Sequence, residues 1–483
     1  MPVTTDHDAI DQAKRSFMLR AGAGLGALSL SELLAPAAGA QTAANSAPGI
    51  LGAGHFPARA KRVICLHMLG AISHVDTFDY KPKLVEMHGQ DLPPSVRNTQ
   101  RLSTMSNGQS AFPIVAPLGE FEQHGGSGAW VSSLLPHIGG MSDELCFVKT
   151  LHTEHVNHDP ASKFLHSGFQ LAGRPSSGAW ISYALGSDNL DLPNYIVMNA
   201  GLAGGVPQDS AIWGAGFLPS HHQGVQFRAA DDPVLYVNNP DGIDRNDRRH
   251  MLDALAKLAG LQHEASGDPE ILSRVSQYEM AYRMQESVPE IADISDEPEH
   301  ILEMYGPNVH TPGSFARNCL IARRLAEKGV KFQTLFGLGW DHHLAIRASL
   351  PRLCEQIDQP SAALVMDLKQ RGLLDDTLVM FGSEFGRTPY AQGDIESPLM
   401  GRDHHGGCFT WWFAGGGVKA GYTHGETDEF SYNIVENPVH IHDLNATLMH
   451  VLGIDHERLT FRFQGRDYRL TDVHGRVVDD ILA

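Results

Sequence analysis

Short apolar runs alternate along the chain with longer segments of helical periodicity. The run at 63–69 is nearly continuous and ends at Gly70, which is typical of a strand buried on both faces. We predict that this strand lies at the centre of a sheet. The other predicted strands are 195–198, 331–337, 377–382 and 408–413.

The segments between these runs show the 3.6-residue period of helices. Strand, helix, strand is the rhythm of a mostly parallel sheet with helices on both faces, so we predict an α/β fold. The region 201–311 is rich in Gly, Pro, Asp and His and breaks the rhythm, which predicts an inserted cap. The predicted helices are 158–171, 178–186, two within 247–287 joined near Gly267, 315–328, 355–371 and 441–452.

The N-terminus predicts an export signal. Lys14 and Arg15 precede a Gly- and Ala-rich stretch at 21–34, and small residues at 38–40 offer a cleavage site. The stretch falls short of the roughly 20 apolar residues that span a bilayer. It resembles a twin-arginine signal with lysine as the first residue of the pair, and the alternative is an amphipathic helix of a cytosolic protein.

We therefore predict a periplasmic or secreted protein without a membrane span in its mature form. The predicted parts are a signal at 1–40, a flexible leader at 41–60 and one α/β domain at 61–483.

Composition narrows the range of partners. The 483 residues, 42% of them hydrophobic, can bury a large core. A net charge of -19 argues against nucleic acid or an anionic membrane as the main partner, because long-range repulsion opposes the encounter. Five cysteines without a Cys-x-x-Cys pair predict buried thiols, at least one of them free.

Three clusters of histidines and acids stand near the ends of predicted strands in the last third of the chain. Open α/β sheets place their chemistry at strand ends, and imidazole is a common metal ligand. The clusters predict a metal centre, whereas a hydrogen-bonded polar network is the alternative. They are Asp341-His342-His343, Ser383-Glu384-Phe385-Gly386-Arg387 and Asp403-His404-His405.

A further group of polar residues enters the predicted helix at 158. The free N–H groups of a helix N-terminus favour an anion such as phosphate or sulfate. The alternative is that Asp159 caps the helix ahead of Pro160 and that the histidines are solvated. The group is His152, Glu154, His155, Asn157, His158 and Asp159.

The stretch 357–386 resembles the sulfatase and alkaline phosphatase superfamily. There a helix, a Gly-Leu-x-Asp-x-Thr motif (here 372–377), a strand and a Ser-Asp-His-Gly motif (here 383–386) follow in that order. Residues 438–454 resemble the late helix of the same superfamily. Taken whole, the chain resembles the domain-of-unknown-function 1501 family, an exported branch of that superfamily.

The resemblance implies an alkaline-phosphatase-like fold and a divalent metal centre, with zinc or manganese, that hydrolyses a phosphate or sulfate ester. Asp341 and His343, with His404 or His405 from the cluster at Asp403, resemble the metal ligands of the superfamily. His158 stands at the nucleophile position, as a ligand or a nucleophile, and no formylglycine cysteine is present.

At the Ser-Asp-His-Gly motif the resemblance is incomplete. Glu384 replaces the aspartate and Phe385, which cannot bind metal, replaces the histidine. We predict His158 and Glu384 as catalytic base or ligand. For an anionic substrate we predict Arg387, Arg402 and Asn157 as binding residues, since guanidinium groups match phosphate oxygens; either arginine could instead serve in a surface salt bridge.

The sequence thus predicts a metal-dependent hydrolase of a small anionic ester. The alternative is a non-catalytic metal- or ligand-binding protein that keeps the fold while its hydrolytic site has degenerated.

Overall fold

A computed structural model describes the chain from residue 47 to residue 483, apart from 53, 101, 104, 202–208, 229–232, 235–237 and 241. The predicted signal and the first residues of the predicted leader, 41–46, lie outside the described residues. Within the described range, no helix is both long and apolar enough to cross a membrane.

Nine strands of the described chain form a mostly parallel sheet, and ten more form five separate two-stranded sheets, one of which is a hairpin near the functional residues. The strands of the large sheet and of this hairpin are β1 (Arg62–Met68), β2 (Leu145–His152), β3 (Tyr195–Ala200), β4 (Val225–Phe227), β5 (Phe332–Gly337), β6 (Thr377–Gly382), β7 (Gly386–Gln392), β8 (Gly401–His405), β9 (Phe409–Ala414), β10 (Tyr422–His424) and β11 (Val439–His440). The hairpin is β7–β8, and the order of the large sheet is β10-β2-β9-β6-β1-β5-β3-β4, with β11 also paired to β2.

Strand β1 lies between β5 and β6 at the centre, as predicted, and pairs in parallel with both. Strands β3 and β4 continue the parallel order, whereas β9 runs antiparallel between β6 and β2. Each of β5 and β6 is buried along its whole length. The predicted α/β class with a mostly parallel central sheet is confirmed.

Helices cover both faces of this sheet. On one face Cys65 and Met380 share a core with Trp180 and Leu444; on the other, Gln333 donates to the Ala322 carbonyl. The helices of eight or more residues, with one shorter helix, are α1 (His158–Ser167), α2 (Ser177–Leu185), α3 (Arg245–Ser266), α4 (Glu270–Ala292), α5 (Glu299–Tyr305), α6 (Phe315–Glu327), α7 (Ile346–Gln370) and α8 (Ile441–Val451).

Helix α7 begins at Ile346 rather than at the predicted residue 355. Pro351 and Pro360 lie inside it, although proline removes a helical hydrogen bond. The helix buries one side, including Leu350 and Leu364, and packs against α6. Tertiary burial therefore outweighs local propensity here.

The described residues divide into two compact units. The larger holds the sheet and takes in 47–238 and 283–483; the smaller takes in Asn239–Tyr282. In the smaller unit Asp244 caps α3, Gly267 ends it at a φ of 71°, and Arg249 pairs with Glu279 across two helices. The predicted cap, 201–311, is longer than this unit and stays a prediction.

Candidate metal centre

The carboxyl ends of β1, β5 and β6 bring together residues that are far apart in the sequence. Gly70 follows β1, Asp341 follows β5 and Glu384 follows β6. Because parallel strands end at the same edge of a sheet, these residues meet there. His158 joins them at the start of α1, and the β7–β8 hairpin supplies His404.

Three imidazoles converge on one carboxylate oxygen at this edge. The Nε2 atoms of His158, His343 and His404 lie 3.1, 3.1 and 3.4 Å from Oδ1 of Asp341. The ligand atoms of these four residues all lie within 4.8 Å of one another. We call this set, His158, Asp341, His343 and His404, the metal-site cluster.

Each imidazole is held from behind through its Nδ1 atom. The Nδ1 of His404 contacts the carbonyl oxygen of Val156 at 2.7 Å, and that of His343 contacts Oε1 of Gln392 at 2.5 Å. The Nδ1 of His158 contacts Oε1 of Glu384 at 2.5 Å. Because these oxygens are acceptors, each Nδ1 carries the proton and each Nε2 can offer its lone pair to the cluster.

The donor set and its spacing fit a divalent metal ion. A tetrahedral site with ligand bonds of about 2.1 Å has edges of roughly 3.4 Å, and the three Nε2–Oδ1 distances are 3.1, 3.1 and 3.4 Å. The buried Nε2 of His158 has no hydrogen-bond partner of good geometry despite this contact. Three imidazoles with one carboxylate suit zinc or manganese.

The cluster holds its carboxylates in the charged form. Burial raises the pKa of Asp341, but the contacts with His158, His343 and His404 outweigh burial and hold this pKa well below its usual value. Burial also raises the pKa of Glu384, and the hydrogen bonds with His158 and other neighbours again lower it below normal. Both carboxyls are therefore anions at neutral pH.

The imidazoles differ in their protonation. Burial lowers the pKa of His404 to about 4, against the opposing effect of Asp341. Burial lowers the pKa of His158 too, but the nearby carboxylates of Asp341 and Glu384 outweigh it and raise this pKa above its usual value. His404 is thus neutral at pH 7, the form in which imidazole binds metal.

Glu384 also ties the cluster to two buried histidines beneath it. Its Oε2 lies 3.0 Å from Nε2 of His67, and the Nδ1 of His67 lies 2.8 Å from Nε2 of His166. The backbone N–H of Gly70 donates to Oε1 of Glu384 at 3.0 Å. Sequence reasoning missed His67, although an ionisable residue inside the apolar run at 63–69 was a signal that could have found it.

Arg387 lies inside the protein, against Asp341. Its Nη2 donates to Oδ1 of Asp341 at 2.7 Å, and its other N–H groups donate to the carbonyls of Ala71 and Arg402. The side chain is fully buried. That Arg387 contacts the substrate stays a prediction. In the structure its guanidinium group fixes the position of the Asp341 carboxylate.

Arg402 and Asn157, the other predicted substrate-binding residues, lie outside the cluster. Arg402 is buried and forms a two-pronged ion pair with Asp76, at 2.8 and 2.9 Å. Asn157 is exposed and stands at the N-cap of α1 without a capping hydrogen bond from its side chain. Helix α1 begins at His158, and Asp159 pairs with Lys163 at 2.7 Å rather than capping the helix.

Asp403 and His405 are not brought into the cluster with His404. Successive side chains of a strand point to opposite faces, and β8 carries all three residues. Asp403 accepts from the hydroxyl of Ser103 at 2.5 Å, and Nε2 of His405 lies 2.9 Å from the Tyr432 carbonyl. As metal ligands these two residues stay predictions.

Phe385 closes one side of the cluster. Its ring lies 4.8 Å from the ring of His158 and 4.7 Å from that of His404, measured between centroids. It stands where the resemblance expects a histidine ligand. An apolar wall therefore replaces a ligand at this position.

Residues 60–482 match the model of a family described as protein of unknown function (DUF1501). The chain belongs to this family. The predicted family is thereby confirmed, and none of the curated proteins matches the sequence.

Solved structures of sulfatase-like and related enzymes resemble this DUF1501 chain loosely. A sulfatase, PsFucS1 from Pseudoalteromonas sp., is 13% identical with a TM-score of 0.33 over 83% of this chain and 69% of its own. The lipoteichoic acid synthase LtaP from Listeria monocytogenes is 10% identical, with a TM-score of 0.34 over 86% of this chain and 76% of its own.

The phosphonate monoester hydrolase SpPMH from Silicibacter pomeroyi is 13% identical, with a TM-score of 0.31 over 72% of this chain and 71% of its own. Likenesses at this level carry no argument about the activity of the DUF1501 chain.

A second histidine-rich region lies along the other side of the loop before α1. It is a groove of about 710 Å³ whose lining includes Glu154, His155, His440, His442 and His474. We call it the histidine groove. Neighbouring residues of one loop contact both regions, since Glu154 and His155 line the groove and the carbonyl of Val156 contacts His404.

Proposed function

We propose that this protein is a metal-dependent hydrolase of a phosphate or sulfate ester, with the metal-site cluster binding one divalent ion. The supporting observation is the convergence of three Nε2 atoms on Oδ1 of Asp341 while every Nδ1 is held by an acceptor. Three protonated imidazoles would crowd one carboxylate oxygen, whereas three lone pairs and an anionic oxygen together favour a cation.

A bound divalent ion would polarise an ester oxygen and lower the pKa of a water molecule, which is the chemistry that in-line ester hydrolysis requires. The protein's own residues prepare the site. Glu384 keeps the proton of His158 on Nδ1, and Arg387 fixes Oδ1 of Asp341 from the side. Phe385 excludes water from one wall, which strengthens the electrostatic interactions inside.

Export through an N-terminal signal to the periplasm or the medium belongs to the same proposal and rests on the sequence alone. The twin-arginine pathway carries folded proteins, which suits a chain that binds its metal before export.

A metal-binding protein without hydrolytic activity is the second candidate. Phe385 favours it, because its ring occupies the place of a ligand that the superfamily resemblance implies. Metal content and ester turnover, measured on the same protein, separate the two candidates.

The test is metal content by mass spectrometry on protein purified without chelator, with turnover of 4-nitrophenyl phosphate and 4-nitrophenyl sulfate measured in parallel. We expect about one ion per chain in the wild type, none in Asp341→Asn or His404→Ala, and an unchanged content in His474→Ala. His474 is an exposed histidine outside the cluster, so its variant is the matched control.

Metal that depends on Asp341, together with hydrolysis that a chelator abolishes, would support the hydrolase. Metal without hydrolysis of either ester would leave the second candidate. A wild type without metal, with melting temperatures equal in all variants, would refute both.

A further inference from the structure

A cleft of about 630 Å³ opens at the same edge of the sheet as the metal-site cluster. Its floor includes Ala200 at the end of β3 and Gly337 at the end of β5, and its wall includes Trp340. Since β3 pairs with β5 and Asp341 directly follows Trp340, the cleft lies one strand away from the cluster. We call it the strand-end cleft.

The charge of the strand-end cleft is opposite to that of the protein. Among the described residues that line it, Arg352 is the single charged one and none is acidic, in a chain of net charge -19. Arg352 is exposed and forms no ion pair with any residue that the structure describes. An anionic group entering the cleft would find a free guanidinium and no repelling carboxylate among its described walls.

Trp340 adds a hydrogen-bond donor to this wall. The residue is 1% exposed and lines the cleft, and none of the described residues accepts a hydrogen bond from its indole N–H. A Cβ built on Gly337, another lining residue, would lie 3.4 Å from the indole nitrogen, so the nitrogen lies beside the cleft. An oxygen of a ligand in the cleft can therefore accept from this N–H in place of water.

The rest of the lining suits a ligand with an apolar body. Leu338, Leu353 and Ile357 line the cleft together with Phe315. Phe315 is also the first residue of α6, a helix of 13 residues, after the cap at Ser314. The positive end of that helix dipole adds to the preference for an anion set by Arg352 and Trp340.

We propose that the strand-end cleft binds a second anionic group of the ester substrate, a carboxylate or comparable oxyanion on an apolar scaffold, remote from the bond that is cleaved. Arg352 and Trp340 donate to this group, and the aliphatic side chains contact the scaffold. The proposal rests on the proposed hydrolase function, since it names the substrate class of that site.

Binding is tested first, by titration calorimetry with benzoate and with its neutral analogue benzamide. We expect benzoate to bind more tightly, and Arg352→Gln to weaken benzoate about fivefold while leaving benzamide unchanged, as for a partly exposed ion pair. Trp340→Phe should weaken benzoate about threefold through one lost hydrogen bond. Arg347→Gln is the control: Arg347 lies on the same helix, but it donates to the Ile395 carbonyl and does not line the cleft.

The same titration on Asp341→Asn separates the cleft from the metal-site cluster. The preference for benzoate and its dependence on Arg352 should persist in this variant. Equal binding of the two probes, an affinity for benzoate that ignores Arg352→Gln, or loss of benzoate binding in Asp341→Asn would each overturn the proposal.

Kinetics then link the cleft to the substrate. The KM for 4-carboxyphenyl phosphate should be lower than for phenyl phosphate, and Arg352→Gln should raise the KM of the first ester alone, with kcat unchanged. An equal KM for both esters would contradict the proposal. No turnover of either ester would refute the hydrolase function while leaving the binding result to decide on the cleft.

Discussion

The metal-site cluster and the histidine groove contain the same kinds of residue and differ in how the imidazoles are used. In the cluster every Nδ1 faces an acceptor and every Nε2 faces Asp341. In the groove, Nδ1 of His440 accepts from the backbone N–H of His442, and its Nε2 donates to Glu154. Both nitrogens of His440 are therefore occupied within the protein.

Two further rings of the histidine groove, those of His442 and His474, stack on each other instead of converging on a common atom. His442 lies 5.0 Å from His474 between ring centroids, at an interplanar angle of 28°. Its buried Nδ1 has no partner in the described part of the chain. Histidine content alone therefore does not build the donor set that a metal ion needs. The metal-site cluster differs from the groove by the acceptor behind each ring and by the single carboxylate oxygen on which the Nε2 atoms converge.

Removing the carboxylate behind His158 should have the largest effect. Glu384→Gln keeps the shape but loses the anion that holds the Nδ1 proton and raises the basicity of Nε2, so we expect metal affinity to fall by roughly 10- to 100-fold. The measurement is competition with a chelator of known affinity.

Glu154→Gln makes the same change in the histidine groove, where Glu154 accepts from His440. We expect it to leave metal affinity unchanged. An equal loss in the two variants would erase the distinction between the regions.

The histidine groove should instead respond to pH. Burial, with the charges of His440 and His474, lowers the pKa of His442 to about 4 from 6.5, although Glu154 and Asp472 oppose this. The unfolded chain therefore takes up the proton first, and stability falls as the pH drops from about 6.5 to 4. Between pH 7 and pH 5 the stability lost through His442 amounts to about 2 kcal/mol.

Between pH 7 and pH 5 the free energy of unfolding of His442→Gln should fall by about 2 kcal/mol less than that of the wild type, since the substituted side chain does not titrate. Urea unfolding at pH 7 and pH 5 measures the difference. The same pH sensitivity in both proteins would assign the effect to other buried histidines.

The smallest effect is expected at Gln392. It holds Nδ1 of His343 at 2.5 Å, but His343 is half-buried, so water can replace the amide. We expect Gln392→Ala to weaken metal binding about fivefold. Gln392→Glu, which restores an acceptor, should recover the metal affinity. If Gln392→Glu bound metal as weakly as Gln392→Ala, packing rather than the hydrogen bond would be what matters.

Most of the sheet was predictable because its strands are buried on both faces. The predicted strands at 331–337 and 377–382 match β5 and β6 to within one residue. The β7–β8 hairpin was not predicted, since it contains Arg387, Pro389 and Arg402 and yet is buried. Its polar groups are satisfied by partners distant in sequence, such as Asp76 for Arg402, and local periodicity does not report such partners.

The metal-site cluster was predictable in part, because several of its residues stand near buried strands that the sequence reveals. Strand ends indicated Asp341, His343 and His404, and the entry to α1 indicated His158. Sequence adjacency wrongly suggests that neighbours act together: His342, between two cluster residues, is buried with neither ring nitrogen hydrogen-bonded in the described structure. The Val156 carbonyl carries no signal in the sequence, because every residue has one.

The alternation of side chains along β8 limits how this family can vary in length. Arg402 and His404 face one way and Asp403 and His405 the other, and each of the four has its own partners. Inserting or deleting one residue within Gly401–His405 would exchange the two faces, so that the carboxylate of Asp403 would meet the carboxylate of Asp76 or Asp341. Homologues should therefore change length in the turn at 393–400 and keep the residue count of the strand that follows it.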